Sequence, residues 1–249
     1  FDFYCHSSLV PLLDSWFIES ISPKDLSTIS SKIESRPHLP LLSCPLLFST
    51  SLDSIPCSLP YFKQPTNCVI PQQLLIPEAP GGLSVGIAWA SNPDNNRMYN
   101  NKSLPLHNLF AVLEPLVKLD LINVHSLQLG PDSHSLDQYI EPSRVFDWSS
   151  RIRDFSDTAH LISQLDLVIS VDTSVAHLAA SLNCPTWLLL SYESDFRWFT
   201  ARHDSPWYPK IMRLFRQSCH GDWDTVVHDL QMAFNRLFLV NASELLLSD

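Results

Sequence analysis

A parallel α/β fold is predicted from Gly82 onward, on three observations. Apolar runs of strand length alternate there with stretches of helical periodicity, the runs are rich in Val, Ile and Leu, and one of them ends in a polar turn that opens directly into a helix. Alternation of this kind requires right-handed crossovers, and hence parallel pairing. The 249 residues, 45% hydrophobic and 17% charged, can bury one large core or two modest ones.

The elements follow in order. Residues 1–80 are rich in Pro, Ser and Leu, with short apolar pieces at 9–13 and 39–48. Ser22 as cap and Pro23 at the first helical position predict a helix over 22–33. Two of the five glycines, Gly81 and Gly82, follow Pro80, and the boundary between two units is placed within 71–82, giving units 1–80 and 81–249. Residues 83–89 then read as a strand, and the chain to Asn101 as a loop. A helix over 105–119 and a second strand over 123–128 come next. Ser156-Asp157-Thr158 precedes a helix to Gln164, with Asp154 and Asp157 as its caps. Residues 167–171 form a strand, 174–182 a helix and 186–190 another strand. Apolar residues at Trp223, Val226, Val227, Leu230, Ala233, Phe234 and Leu237 space a final helix over 221–239. No repeat of solenoid length is visible.

Several function classes are disfavoured. A formal charge of −10 opposes binding to nucleic acid. No apolar run approaches the roughly 20 residues of a transmembrane helix, and residue 1 does not open a signal peptide, so a soluble, cytoplasmic protein is expected. An initial Phe in place of Met suggests a fragment. The six cysteines show no C-x-x-C pair and lie among apolar neighbours, the pattern of buried reduced thiols rather than zinc ligands. The sequons at Asn101 and Asn241 matter only in a secreted protein.

The stretch from Asp166 to Ala180 reads as strand, turn, helix. A β-branched run ends at Asp172, and Thr173 or Ser174 is placed to cap the next helix. Ligands of open α/β sheets bind beyond the carboxyl ends of strands, where a helix N-terminus offers free N–H groups and partial positive charge. An anion such as a diphosphate fits among Asp172, Thr173, Ser174, Val175 and His177, and protonation of His177 would add charge. Two alternatives remain: Asp172 and Thr173 as plain caps with His177 packed internally, and a Ser174/His177/Asp172 hydrolytic triad, which lacks the flanking glycines of a nucleophile elbow.

The run Asp172-Thr173-Ser174-Val175-Ala176-His177-Leu178-Ala179, followed by Asn183-Cys184-Pro185-Thr186-Trp187, resembles the family-nine glycosyltransferases, which include the ADP-heptose:lipopolysaccharide heptosyltransferases. Gly86-Ile87-Ala88-Trp89, Arg153-Asp154-Phe155-Ser156-Asp157, Asp195-Phe196-Arg197-Trp198 and Asp204-Ser205-Pro206-Trp207-Tyr208-Pro209 resemble, more narrowly, the glycosyltransferase-like region that follows tetratricopeptide repeats in many bacterial proteins. The resemblance spans residues 40–234. It implies a GT-B architecture: a C-terminal Rossmann-like domain joined to a truncated Rossmann-like N-terminal part. In the family, the first N-terminal βα unit carries a glycine-rich acceptor loop and the heptosyltransferases' catalytic carboxylate; neither is visible here.

The resemblance implies a metal-independent glycosyltransferase without a cofactor, acting on a nucleoside-diphosphate sugar and a glycan or protein acceptor, with tetratricopeptide repeats upstream. It places Lys102 over the donor diphosphate, where it would offset the leaving group's charge, and Gln128 beside the nucleotide. The bland readings are a solvated lysine and a loop hydrogen bond. Asn92 ends the first strand, where it would orient the donor or shape a turn. The 191–198 loop would meet the sugar, whereas Trp207, Tyr208 and Pro209 look structural. The rival to the enzyme is a non-catalytic binding or scaffold remnant.

Overall fold

The computed structural model describes residues 2–16, 22–25, 39–64, 69–77, 81–139 and 144–246. Six parallel strands form the main sheet: β3 (Leu83–Ala88), β4 (Ile122–Ser126), β5 (Val145–Asp147), β6 (Leu167–Val171), β7 (Thr186–Leu190) and β8 (Met212–Arg216), in the order β5-β4-β3-β6-β7-β8. Val85 lies opposite both Val124 of β4 and Leu167 of β6. β4 and β6 are buried along their whole length, which is why their sequences run apolar without the alternation of a one-sided sheet.

Helices cover both faces. α4 (Leu106–Lys118) joins β3 to β4 and packs with α7 (Trp223–Leu246) through Leu109, Phe110, Leu113, Val226, Leu230 and Phe234. The opposite face carries α5 (Phe155–Ile162) and α6 (Ser174–Ser181), whose core includes Leu161, Ala179 and Cys184. That core takes in Leu12, Trp16 and Leu74 from the N-terminal region. There β1 (Asp2–Cys5) and β2 (Ser22–Asp25) pair in parallel, and α1 (Val10–Trp16) lies against α5. Residues 59–64 and 69–77 lie as a strap over this face: the Tyr61 and Phe62 amides donate to the Ser181 carbonyl, Lys63 N–H to that of Trp16, and Gln164 Nε2 to that of Leu74. Between these pieces, Leu42 and Leu46 are 86% exposed and Phe48 74%.

Several expectations are corrected. Ser22 and Pro23 begin a strand, not a helix, because pairing with β1 outweighs the local start signal; residues 26–33 lie outside the described residues. The loop expected up to Asn101 contains α3 (Asn96–Lys102), started by the Asn95 side chain accepting from Met98 N at 3.2 Å. α5 begins at Phe155 because the Asp154 carboxylate accepts from Ser156 N and Asp157 N at 2.8 and 3.2 Å. Asp157 does not cap; it holds Arg153 through the backbone N–H and the Nε–Nη2 edge of the guanidinium. Of the described cysteines only Cys5 and Cys184 are buried, while Cys57 and Cys219 are exposed. Strands β5 and β8 were not expected; one is three residues long and the other carries exposed Arg213. Among the described residues, no helix is long and apolar enough to cross a membrane.

Candidate functional site

The strand order reverses between β3 and β6: from β3 the chain crosses to β4 on one side, and from β6 to β7 on the other. The crossovers therefore diverge and leave a crevice beyond the carboxyl ends of these two strands. β6 delivers Asp172 and Thr173 to it, and the first turn of α6 delivers Ser174, Val175 and His177. α3 brings Lys102 in at its last turn, where a cation also suits the helix dipole.

Lys102 Nζ lies 2.7 Å from Asp172 Oδ2, with 14% and 7% of the two side chains exposed. Thr173 occupies the N-cap position of α6 without a side-chain cap bond. Its hydroxyl turns back to Ser170 Oγ at 3.2 Å, while Ser170 Oγ donates to the Val171 carbonyl. The capping role expected of Thr173 is thus corrected: its oxygen is engaged with β6, and the helix's first N–H groups keep no side-chain acceptor. Ser174 is exposed and Val175 half-buried beside them.

His177 is the most heavily contacted site residue. Its Nδ1 lies 2.9 Å from the Tyr208 hydroxyl, and its Nε2 4.0 Å from Asp172 Oδ1 and 3.5 Å from Arg197 Nη1. Its ring stacks on Trp198, with centroids 5.2 Å apart. Burial lowers its pKa below the usual histidine value; Asp172 opposes this, whereas Arg197 and Lys102 reinforce it. The charge expected from protonated His177 is therefore not present at neutral pH: the ring is a neutral hydrogen-bonding group. With Tyr208 as its partner, no Ser174–His177 hydrogen bond forms among the described residues, and the hydrolytic triad has no geometric support.

Arg197, which the sequence places only as part of the 191–198 loop, is the second cation here, paired with Asp195 at 2.8 Å. Arg216 of β8 fastens the loop that carries it: its guanidinium donates to the Trp198 and Phe199 carbonyls at 3.1 and 2.6 Å and to the Ser194 hydroxyl. The two cations and two carboxylates cancel formally, so the positive end of the α6 dipole is the uncompensated local charge.

The remaining candidates stand apart. Gln128 reaches the strand ends, but its Oε1 accepts from Trp89 N and Ala90 N at 3.0 and 2.9 Å, and its Nε2 donates to the Ala90 and Leu129 carbonyls at 3.2 and 3.0 Å. Its whole amide is committed to main chain. Asn92 is exposed and closes a turn by accepting from Asp94 N at 3.0 Å. Beside Lys102 opens a cleft of about 780 Å³ lined by Arg97, Asn101, Glu193, Asp195 and His220.

Residues 153–215 match glycosyltransferase family 9 (heptosyltransferase). No curated protein sequence shows a significant match. Among solved structures, E. coli ADP-heptose lps heptosyltransferase II is 14% identical at a TM-score of 0.49, covering 66% of this chain and 49% of its own. E. coli heptosyltransferase WaaC with ADP is 17% identical at 0.46, covering 67% and 46%. A family 9 glycosyl transferase from Veillonella parvula is 14% identical at 0.42, covering 59% and 40%. The chain thus spans less than half the length of each of these structures. The likeness to glycosyltransferase family 9 falls on the segment from the cap of α5 through β6, α6 and β7 into β8, which carries Asp172, His177 and Arg197 and leaves Lys102 outside.

Proposed function

We propose that this chain is the donor-binding part of a GT-B type, heptosyltransferase-like glycosyltransferase, with residues 81–249 holding a nucleoside-diphosphate sugar and residues 1–80 contributing to an acceptor-side domain. The observation that carries this reading is the α6 N-terminus without a side-chain cap, which lies with His177 and Arg197 in the segment similar to family 9 and is faced by Lys102 from α3. A donor diphosphate would accept hydrogen bonds from the Ser174 and Val175 N–H groups. Lys102, released in part from Asp172, and Arg197 would neutralise the charge that develops as the nucleoside diphosphate leaves, a route that needs no metal. The sugar goes to a glycan or protein acceptor, and tetratricopeptide repeats precede the chain in the intact protein.

The reading is tested by calorimetric titration with UDP-, ADP- and GDP-linked sugars, comparing wild type with a His177→Ala/Lys102→Ala double variant whose folding is checked by circular dichroism. One nucleotide class is expected to bind wild type, with affinity falling about 10- to 100-fold in the variant, as for lost charge-assisted hydrogen bonds. The mutual cancellation of the four charges favours, as the second reading, a non-catalytic remnant; absence of binding to all three donors selects it.

A further inference from the structure

Tyr208 belongs to a run that reads as structural in the sequence, yet its hydroxyl is the closest polar partner of the site histidine. The residue is 8% exposed and packs among Ala176, Ala180, Leu188 and Trp198. The neighbouring Tyr61 hydroxyl is turned elsewhere, donating to the Pro56 and Trp207 carbonyls at 2.6 and 2.8 Å.

We infer that Tyr208 is a positioning residue that fixes the tautomer of His177, donating its hydroxyl proton to Nδ1 so that the ring proton stays on Nε2, facing Asp172 and the α6 N-terminus. The hydrogen bond then runs in one direction: Tyr208 O–H donates to His177 Nδ1, and His177 Nε2–H points into the crevice. Burial raises the phenol's pKa and keeps it a donor. The opposite arrangement places the ring proton on Nδ1 and lets Nε2 accept from Arg197, but that contact is 3.5 Å against 2.9 Å for Tyr208, at the limit of a hydrogen bond. Asp172, 4.0 Å from Nε2, also favours a proton on that nitrogen. The charged groups facing the ring are Asp172 and Lys102 from the crevice and Asp195 and Arg197 from the loop after β7. The consequence for ligand binding rests on the donor-site reading: an N–H directed at the diphosphate adds a neutral donor beside the helix terminus.

The ¹⁵N shifts of the His177 ring, assigned with a His177→Gln variant, test the inference at neutral pH in wild type and in Tyr208→Phe, which keeps the ring and removes the hydroxyl. Wild type is expected to show a protonated Nε2 and a bare Nδ1, and Tyr208→Phe an average of both tautomers, a higher His177 pKa and about fivefold weaker ADP binding. A protonated Nδ1 in wild type, or an unchanged tautomer in Tyr208→Phe, overturns the inference. The wild-type spectrum decides by itself if the variant does not fold. Lack of ADP binding to wild type with Nε2 protonated removes ADP as the donor nucleotide while upholding the role of Tyr208.

Discussion

Gln128 shows how a residue at the right place can have a different task. Its buried amide satisfies two N–H groups and two carbonyls at the ends of β3 and β4. Gln128→Leu leaves those main-chain groups without partners at a cost of about 1–3 kcal/mol for each one that water cannot reach. Thermal denaturation is expected to show a fall in Tm of several degrees with the family of contacts around His177 unchanged. Burial pushes the Cys184 thiol up to about 12, and Cys57 and Cys219 are exposed. A thiol reagent at pH 8 should therefore label Cys57 and Cys219 in the native protein and Cys184 only after denaturation. Asp172 and His177 were legible as site residues because a strand-to-helix turn places them by local spacing alone. Tyr208 was not, and Arg197 only as one member of the 191–198 loop, since they reach His177 from 31 and 20 residues away and only tertiary packing brings them there.

At the scale of elements, the long apolar strands and the helices between them could be read directly, β7 to the residue. α3 could not: its Asn- and Arg-rich turns carry no apolar period, and it exists through the Asn95 cap and through contacts with its surroundings, among them Asn101 Nδ2 to the Glu193 carbonyl at 3.2 Å. β3 depends on a close approach at Gly86, where a Cβ would come within 2.6 Å of Leu165 Cδ1 and 3.2 Å of Leu127 Cδ1. Gly86→Ala is expected to destabilise the protein by about 1–3 kcal/mol through overpacking, read as a shift of the urea midpoint at constant m. Gly82 has φ +84° and would set a Cβ 2.8 Å from the Asp120 carbonyl oxygen, so replacement there combines backbone strain with a clash.

For the whole molecule, one buried and one part-buried histidine set a common pH response. Burial lowers the His125 pKa to about 4; its Nδ1 accepts from Trp148 Nε1 at 3.2 Å, and its Nε2 has no hydrogen-bond partner among the described residues. The unfolded chain, with a histidine pKa near 6.5, binds more protons than the native state between these values, so stability is full above 6.5 and falls as the pH drops towards 4. His125 alone accounts for up to about 3 kcal/mol of that loss, and His177 acts in the same direction. Urea titrations at pH 7.5 and 5.0 are expected to show the drop, and His125→Phe to reduce it. A pH-independent midpoint would contradict the neutral buried state.

The strap and α1 also carry a requirement for the order in which the chain is made. Trp16 donates its indole N–H to Ser156, 140 residues downstream, and Tyr61 its hydroxyl to the Trp207 carbonyl, 146 residues downstream. Emerging from the ribosome at about 5–20 residues per second, Leu12, Trp16 and Leu74 wait many seconds before α5 and α6 exist to cover them. Throughout that interval the nascent chain presents apolar side chains whose cover has yet to be made.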